Sequence, residues 1–216
     1  DEIPELSNIS LEYDVYLHID AAFGGFVLPF LKDWGLYEGF FDFKSPGVKS
    51  ITIDPHKMGF CPIPAGGILF RDASFLATIN KSVDYIGLGK VNLTTLQGTR
   101  PAAPVVAAWA VMKSLGRSGY RSIVKKCIEN TSMLYEELSK LKGIRLIVKP
   151  TMNIVGFTCS ELSNELVVNK LLEKGWTLSL CPTHIRILVM PHTEIKHLQV
   201  FISDLKEVLI SFKDNF

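Results

Sequence analysis

SITIDPHKMG, residues 50–59, decides how the chain is read. Ile51 and Ile53 alternate with polar neighbours as a half-buried strand does, and the strand runs straight into the turn Asp54-Pro55-His56-Lys57. A lysine is thereby set at a strand end, where side chains meet ligands more often than core. Taken alone, Lys57 reads as a solvated surface residue. Apolar stretches at 14–20, ending in Asp20, and in AGGILFRD at 65–72 flank this strand, which itself begins at Val48. Short strands separated by loop-sized or helix-sized connections predict an α/β sheet with loops gathered at the strand ends.

Residues 73–100 carry three glycines and many small polar residues without a clear period, which predicts a long functional loop. Pro101 opens a helix to about Leu115, and Gly116 ends it. From about 118 the pattern changes. Ile123, Val124, Cys127, Ile128, Leu134, Tyr135, Leu138 and Leu141 recur at three- and four-residue intervals, predicting an amphipathic helix that ends at Gly143. Strands follow at 144–149, 153–159, 176–181 and 185–190, with a helix at 162–174. A last helix buries Ile195, Leu198, Phe201, Ile202, Leu205, Val208, Leu209 and Phe212. The expected organisation is a partial large domain over 1–117 and a small α+β domain over 118–216. The first ten residues, DEIPELSNIS, hold no start methionine and lead directly into LEYDVYLHIDAAFGG, a buried-strand pattern, so a fragment is expected.

Composition narrows the function classes. With 216 residues, 47% of them hydrophobic, the chain can bury a sizeable core. Twenty-three basic against 22 acidic residues, without long runs of either sign, argue against nucleic acid as a partner. The four cysteines form no C-x-x-C pair, so neither a zinc site nor a disulfide framework is expected; they read as core residues of a protein in a reducing cytoplasm. The apolar stretch 101–112 is too short to span a bilayer, and no membrane partner is expected.

A lysine that acts through a Schiff base needs a carbonyl partner, and pyridoxal phosphate in turn needs an acid near its pyridine nitrogen. Asp20 offers that acid at the end of VYLHID, followed by Ala21 and Ala22, small enough for a flat ring to approach. Ala22, two residues on, shares that side if the strand continues. Asp20 also suits a helix or turn cap. His56 suits a hydrogen bond within its own turn. Gly98 and Thr99, just before the helix at Pro101, suit either phosphate binding or an ordinary N-cap. His18 reads as strand packing, His184 and His197 as structural or exposed, and His192 has no assigned role.

HIDAAFGG, DPHKMG, AGGILFRD and GTRPAAP together resemble the group II pyridoxal-phosphate decarboxylases, most closely the archaeal L-tyrosine/L-aspartate decarboxylase family. The resemblance runs through nearly the whole chain. It implies a fold-type I, aspartate-aminotransferase-like architecture and a homodimer with active sites at the subunit interface. It also implies a preceding N-terminal part that supplies a phosphate-binding loop and a ring-stacking side chain, so these 216 residues alone are expected to be inactive. Lys57 would bind the cofactor, Asp20 its ring nitrogen, Ala22 its ring face, His56 its phosphate or the substrate, and Gly98 and Thr99 the phosphate across the dimer interface. Arg186 in HIRILVMPH becomes a candidate for the substrate α-carboxylate, which a planar guanidinium grips at two points; its other reading is a surface salt bridge. Tyr85, 28 residues after Lys57, matches a loop tyrosine that protonates the substrate carbon in related decarboxylases, or else anchors its loop. The implied substrates are L-aspartate, giving β-alanine for coenzyme A, and L-tyrosine, giving tyramine for methanofuran. A lyase of the sphingosine-phosphate-lyase type and a non-catalytic dimerisation module remain as alternatives.

Overall fold

The computed structural model describes residues 1–84, 87 and 89–211. The chain divides into two compact units, Asp1–Arg117 and Ser118–Phe216. No helix among the described residues is long and apolar enough to cross a membrane.

The first unit opens with a helix, α1 (Ile3–Glu12), which ends just ahead of the stretch 14–20 expected to form a strand. Pro4 suits a first helical turn, and Glu5 there complements the helix N-terminus. The inward face is Ile3, Ser7 and Ser10, while Leu6, Ile9 and Leu11 are exposed, so hydrophobicity alone misplaces this face. Both serines serve Gly47. The Ser7 hydroxyl accepts from the Gly47 N–H at 2.8 Å, and the Ser10 hydroxyl lies 3.3 Å from the Gly47 carbonyl.

β1 (Leu17–Asp20) follows, then α2 (Leu28–Asp33), β2 (Val48–Ile53) and β3 (Gly67–Phe70). β1 and β2 are parallel and β3 joins β2 antiparallel, in the order β1-β2-β3. Ile3, Ile19, Ala21, Val48 and Ile51 form the buried cluster of this unit. Arg71, just past β3, donates to the carbonyls of Val48, Phe43 and Ser45 and so holds the chain that enters β2.

Residues 73–100 are not a continuous loop. They form α3 (Ser74–Ile79) and an antiparallel hairpin of β4 (Lys81–Asp84) and β5 (Lys90–Leu93), closed by the Asp84–Lys90 pair. Gly87 and Gly89 take φ of 68° and 75°, which side-chain-bearing residues rarely adopt. α4 (Ala103–Ser139) is interrupted at Gly116, with φ 56° and ψ −174°. Its first accepting carbonyl is that of Ala102, one residue after Pro101, and the helix itself starts at Ala103. Pro104 serves the first turn instead, since it too lacks an N–H that would need a partner.

In the second unit, β6 (Ile144–Leu146), β7 (Ile154–Cys159), β8 (Ser179–Leu180) and β9 (Ile185–Leu188) form an antiparallel sheet in the order β6-β7-β9-β8. α5 (Asn164–Glu173) begins with the Ser163 hydroxyl accepting from the Leu166 N–H, and α6 (Ile195–Ser211) closes the described chain. Leu134 and Leu138 from α4, Val155 and Phe157 from β7, Val167 and Leu171 from α5, and Leu198, Phe201, Ile202, Leu205, Val208 and Leu209 from α6 make one core. Ile195 is exposed rather than buried, because it stands in the first turn of α6, and Phe212 lies outside the described residues.

Candidate active site

Asp20 and Lys57 come from the C-terminal ends of neighbouring parallel strands. β1 and β2 pair with Asp20 opposite Thr52, and the Asp54 N–H donates to the Ala22 carbonyl at 3.2 Å, joining the two turns just beyond the sheet. This edge is where α/β sheets receive ligands.

The turn carrying Lys57 is fixed by its backbone. Lys57 N–H donates to the Asp54 carbonyl, His56 N–H to Ala65 and Cys61 N–H to Pro55, at 3.0, 3.2 and 3.0 Å. Gly59 permits the closure, since a Cβ there would stand 2.6 Å from the Pro55 carbonyl oxygen. The Lys57 amine donates to Asp54 Oδ2 at 2.8 Å, and the same oxygen lies 3.7 Å from His56 Nε2. The Asp54 side chain is 16% exposed and that of Lys57 39%, so a sheltered carboxylate holds an amine that still reaches solvent. His56 Nδ1 is buried without a hydrogen-bond partner among the described residues.

Asp20 is exposed. Its Oδ1 accepts the Ala22 N–H at 3.0 Å, so it caps its own turn and leaves the second oxygen to solvent or a ligand. The strand ends at Asp20, and therefore Ala22 owes its place to the turn rather than to the pleat; it is buried, as is Ala21. His18 is not strand packing. It is exposed and bridges two hydroxyls of β2, with Nδ1 2.7 Å from Ser50 Oγ and Nε2 2.9 Å from Thr52 Oγ1.

Gly98 and Thr99 are exposed on irregular backbone, and the helix after them starts at Ala103 rather than directly behind them. No hydrogen bond or ion pair among the described residues connects either one to Asp20, His56 or Lys57. Arg186 belongs to the second unit, on β9 opposite Gly156 and Ser179; it is exposed and makes no ion pair among the described residues. Tyr85 lies outside the described residues.

The cysteines divide. Cys61 and Cys127 are buried, whereas Cys159 and Cys181 are only half-buried because they stand at strand ends. Burial pushes the Cys127 and Cys159 thiols up to about 11 and raises that of Cys61, which suits none of these three to be a thiolate nucleophile. No cluster of His, Cys, Asp and Glu among the described residues is arranged to hold a metal ion. Sequence reasoning passed over Asp54, whose signal was an acid three residues before Lys57, and the His18–Ser50–Thr52 bridge, visible only once the strand register is known.

The solved structures give the class. Over 97% of this chain and 48% of the other, the fold matches sphingosine-1-phosphate lyase of Burkholderia pseudomallei with a TM-score of 0.87 at 32% identity. The architecture is that of the fold-type I pyridoxal-phosphate enzymes.

The family follows from sequence. The pyridoxal-dependent decarboxylase conserved domain matches residues 1–160, and the chain belongs to that family. It is 48% identical to the L-aspartate decarboxylase of Thermococcus kodakarensis over 96% of this chain and 54% of that protein. Identity is 43% to the probable L-tyrosine/L-aspartate decarboxylase of Methanothermobacter thermautotrophicus, over 96% of this chain and 57% of that one. The chain thus spans about half the length of the curated relatives it matches.

The residues present fit pyridoxal phosphate. A solvent-reaching amine and an exposed carboxylate stand on adjacent strand ends, and the small buried Ala21 and Ala22 lie in the turn after Asp20.

Proposed function

We propose that Lys57 binds pyridoxal phosphate and that the chain contributes this site to an L-amino-acid decarboxylase. Its substrates would be L-aspartate, giving β-alanine, and L-tyrosine, giving tyramine, the precursors of coenzyme A and methanofuran. The observation that carries the reading is the placement of Asp20 and Lys57 at the ends of the parallel pair β1–β2, in a chain of this family.

When bound, pyridoxal phosphate supplies an electron sink for the pair released as the Cα–carboxylate bond breaks. Asp20 keeps a negative charge at the ring nitrogen, while Ala22 lets the ring approach its turn. His56, Gly98 and Thr99 donate toward the phosphate. Arg186 grips the substrate carboxylate with its planar fork, and Tyr85 gives the proton that replaces CO2 at Cα. Lys57 would hold the cofactor through its side-chain amine and would stand beside the substrate's amino group. The unit over 1–117 acts as the cofactor-binding part and that over 118–216 as a small C-terminal domain. The working enzyme is a cytoplasmic homodimer with its site at the subunit interface.

The fold likeness to sphingosine-1-phosphate lyase supports a second reading, carbon–carbon cleavage that leaves an aldehyde. Assay of the full-length gene product separates the two: CO2 with amine from L-aspartate or L-tyrosine supports decarboxylation, while no CO2 from either, with aldehyde released from a β-hydroxy amine, overturns it. Borohydride treatment should leave the pyridoxyl group on Lys57, and uptake by Lys57→Ala at another lysine would remove Lys57 from the site.

A further inference from the structure

We propose that Asp54 is a positioning residue that parks the Lys57 amine before cofactor capture; this rests on the reading of Lys57 as the cofactor lysine. Asp54 is held on several sides. Its N–H is bound to the Ala22 carbonyl, its own carbonyl accepts the Lys57 N–H, and its Oδ2 accepts the Lys57 amine at 2.8 Å. Gly66 backs the other oxygen: a Cβ there would stand 3.2 Å from Asp54 Oδ1, tighter than ordinary contact.

An exposed lysine rarely keeps one geometry, because ordering its four-carbon stem costs more than a surface ion pair returns. Here the acceptor is sheltered, at 16% exposure, and rigid within its turn, so the amine has one preferred place at the strand edge. An ammonium donating into a carboxylate offers no lone pair to a carbonyl carbon. Capture of an aldehyde therefore begins with opening the Lys57–Asp54 contact. His56, whose Nε2 lies 3.7 Å from the same oxygen, is the donor placed to take over that carboxylate when Lys57 leaves.

The test uses the cofactor-free, full-length gene product at one fixed pH. A limiting amount of acetic anhydride labels exposed amines, and mass spectrometry gives the ratio of label on Lys57 to label on Lys149, an exposed lysine of the second unit. Asp54→Asn should raise that ratio about three- to tenfold, the worth of one typical hydrogen bond net of water. Gly66→Ala, which displaces the carboxylate without removing its charge, should raise it by a smaller factor. An unchanged ratio in Asp54→Asn overturns the parking role; if that variant does not fold, an unchanged ratio in Gly66→Ala does so. A parallel sample receives pyridoxal phosphate and borohydride. A pyridoxyl group on a lysine other than Lys57 overturns the cofactor assignment while the labelling ratio still reports on Asp54, so the two failures are distinct.

Discussion

Ser50 Oγ and His18 Nδ1 lie 2.7 Å apart across β1 and β2, and the other nitrogen of the same imidazole is 2.9 Å from Thr52 Oγ1. One side chain therefore spans two rungs of the ladder, and the Thr52 rung is the one that carries Asp20. The register that places Asp20 beside the lysine turn is held by side chains as well as by backbone.

The bridge should show an asymmetry. Ser50 is 1% exposed, whereas His18 is exposed and can turn to water. His18→Ala leaves a buried hydroxyl without its partner and should cost about 1–2 kcal/mol, while Ser50→Ala removes the buried group itself and should cost under about 1 kcal/mol. Urea unfolding with unchanged slope measures both. A larger loss for Ser50→Ala than for His18→Ala would deny the bridge its share in holding the register.

Asp20→Asn separates fold from chemistry. The amide oxygen of Asn still accepts the Ala22 N–H that Asp20 Oδ1 accepts at 3.0 Å, so the turn survives and stability should move by less than about 0.5 kcal/mol. A neutral amide cannot hold positive charge on a ring nitrogen, so decarboxylation by the full-length gene product should fall by orders of magnitude. Melting temperature and kcat together report the outcome, and near-normal turnover would remove Asp20 from the site.

How much of this was legible depended on whether burial writes a period into the chain. β2 was readable because Ile51 and Ile53 alternate with Ser50 and Thr52 and Asp54-Pro55 breaks the strand immediately after, although Ser50 proves as deeply buried as Ile51. α6 was readable because six of its apolar residues share one buried face. α1 was not, since its inward face is Ile3, Ser7 and Ser10 and its larger apolar side chains point outward. Residues 74–84 were not either. α3 buries no residue and every residue of β4 is exposed, so no hydrophobic pattern marks them. At the site, Asp20 and Lys57 could be singled out by position at strand ends. Asp54 could not, because an acid before a proline reads equally as a turn former, and only the 2.8 Å contact gives it a partner.

In the second unit, acid should weaken a specific contact. Asp204 accepts from Trp176 Nε1 at 2.7 Å and from Lys174 Nζ at 3.1 Å, and these bonds, that of Trp176 foremost, hold its carboxyl below the usual range. The unfolded chain therefore takes up this proton first as pH falls. The stability contributed is present above the unfolded value of 3.8 and is lost as pH drops through the lower folded value. Urea midpoints followed by tryptophan fluorescence should fall below about pH 4 in the native sequence and fall less steeply in Asp204→Asn. Identical slopes in the two proteins would assign the acid sensitivity elsewhere.

Two glycines of the first unit should respond oppositely to alanine. At Gly47 a Cβ would lie 2.3 Å from the Ser7 carbonyl oxygen and 2.9 Å from Ser7 Cα. Both are backbone atoms, so the conflict is relieved only by pushing α1 from the chain that enters β2, which would also strain the Ser7–Gly47 bond at 2.8 Å. Gly47→Ala should therefore cost about 2 kcal/mol or more, within the range of an overpacked interior. Gly98 has open space where its Cβ would be, and its φ is not in the left-handed region. Gly98→Ala should leave stability unchanged or raise it by up to about 1 kcal/mol through the less flexible unfolded chain. Because alanine keeps the backbone N–H, any drop in affinity for pyridoxal phosphate in that variant would come from crowding at the cofactor and not from a damaged fold. Unfolding midpoints and cofactor titrations on the same samples read both effects. A Gly98→Ala variant as unstable as Gly47→Ala would show that Gly98 is held by packing, and its place among the phosphate-binding residues would lose its support.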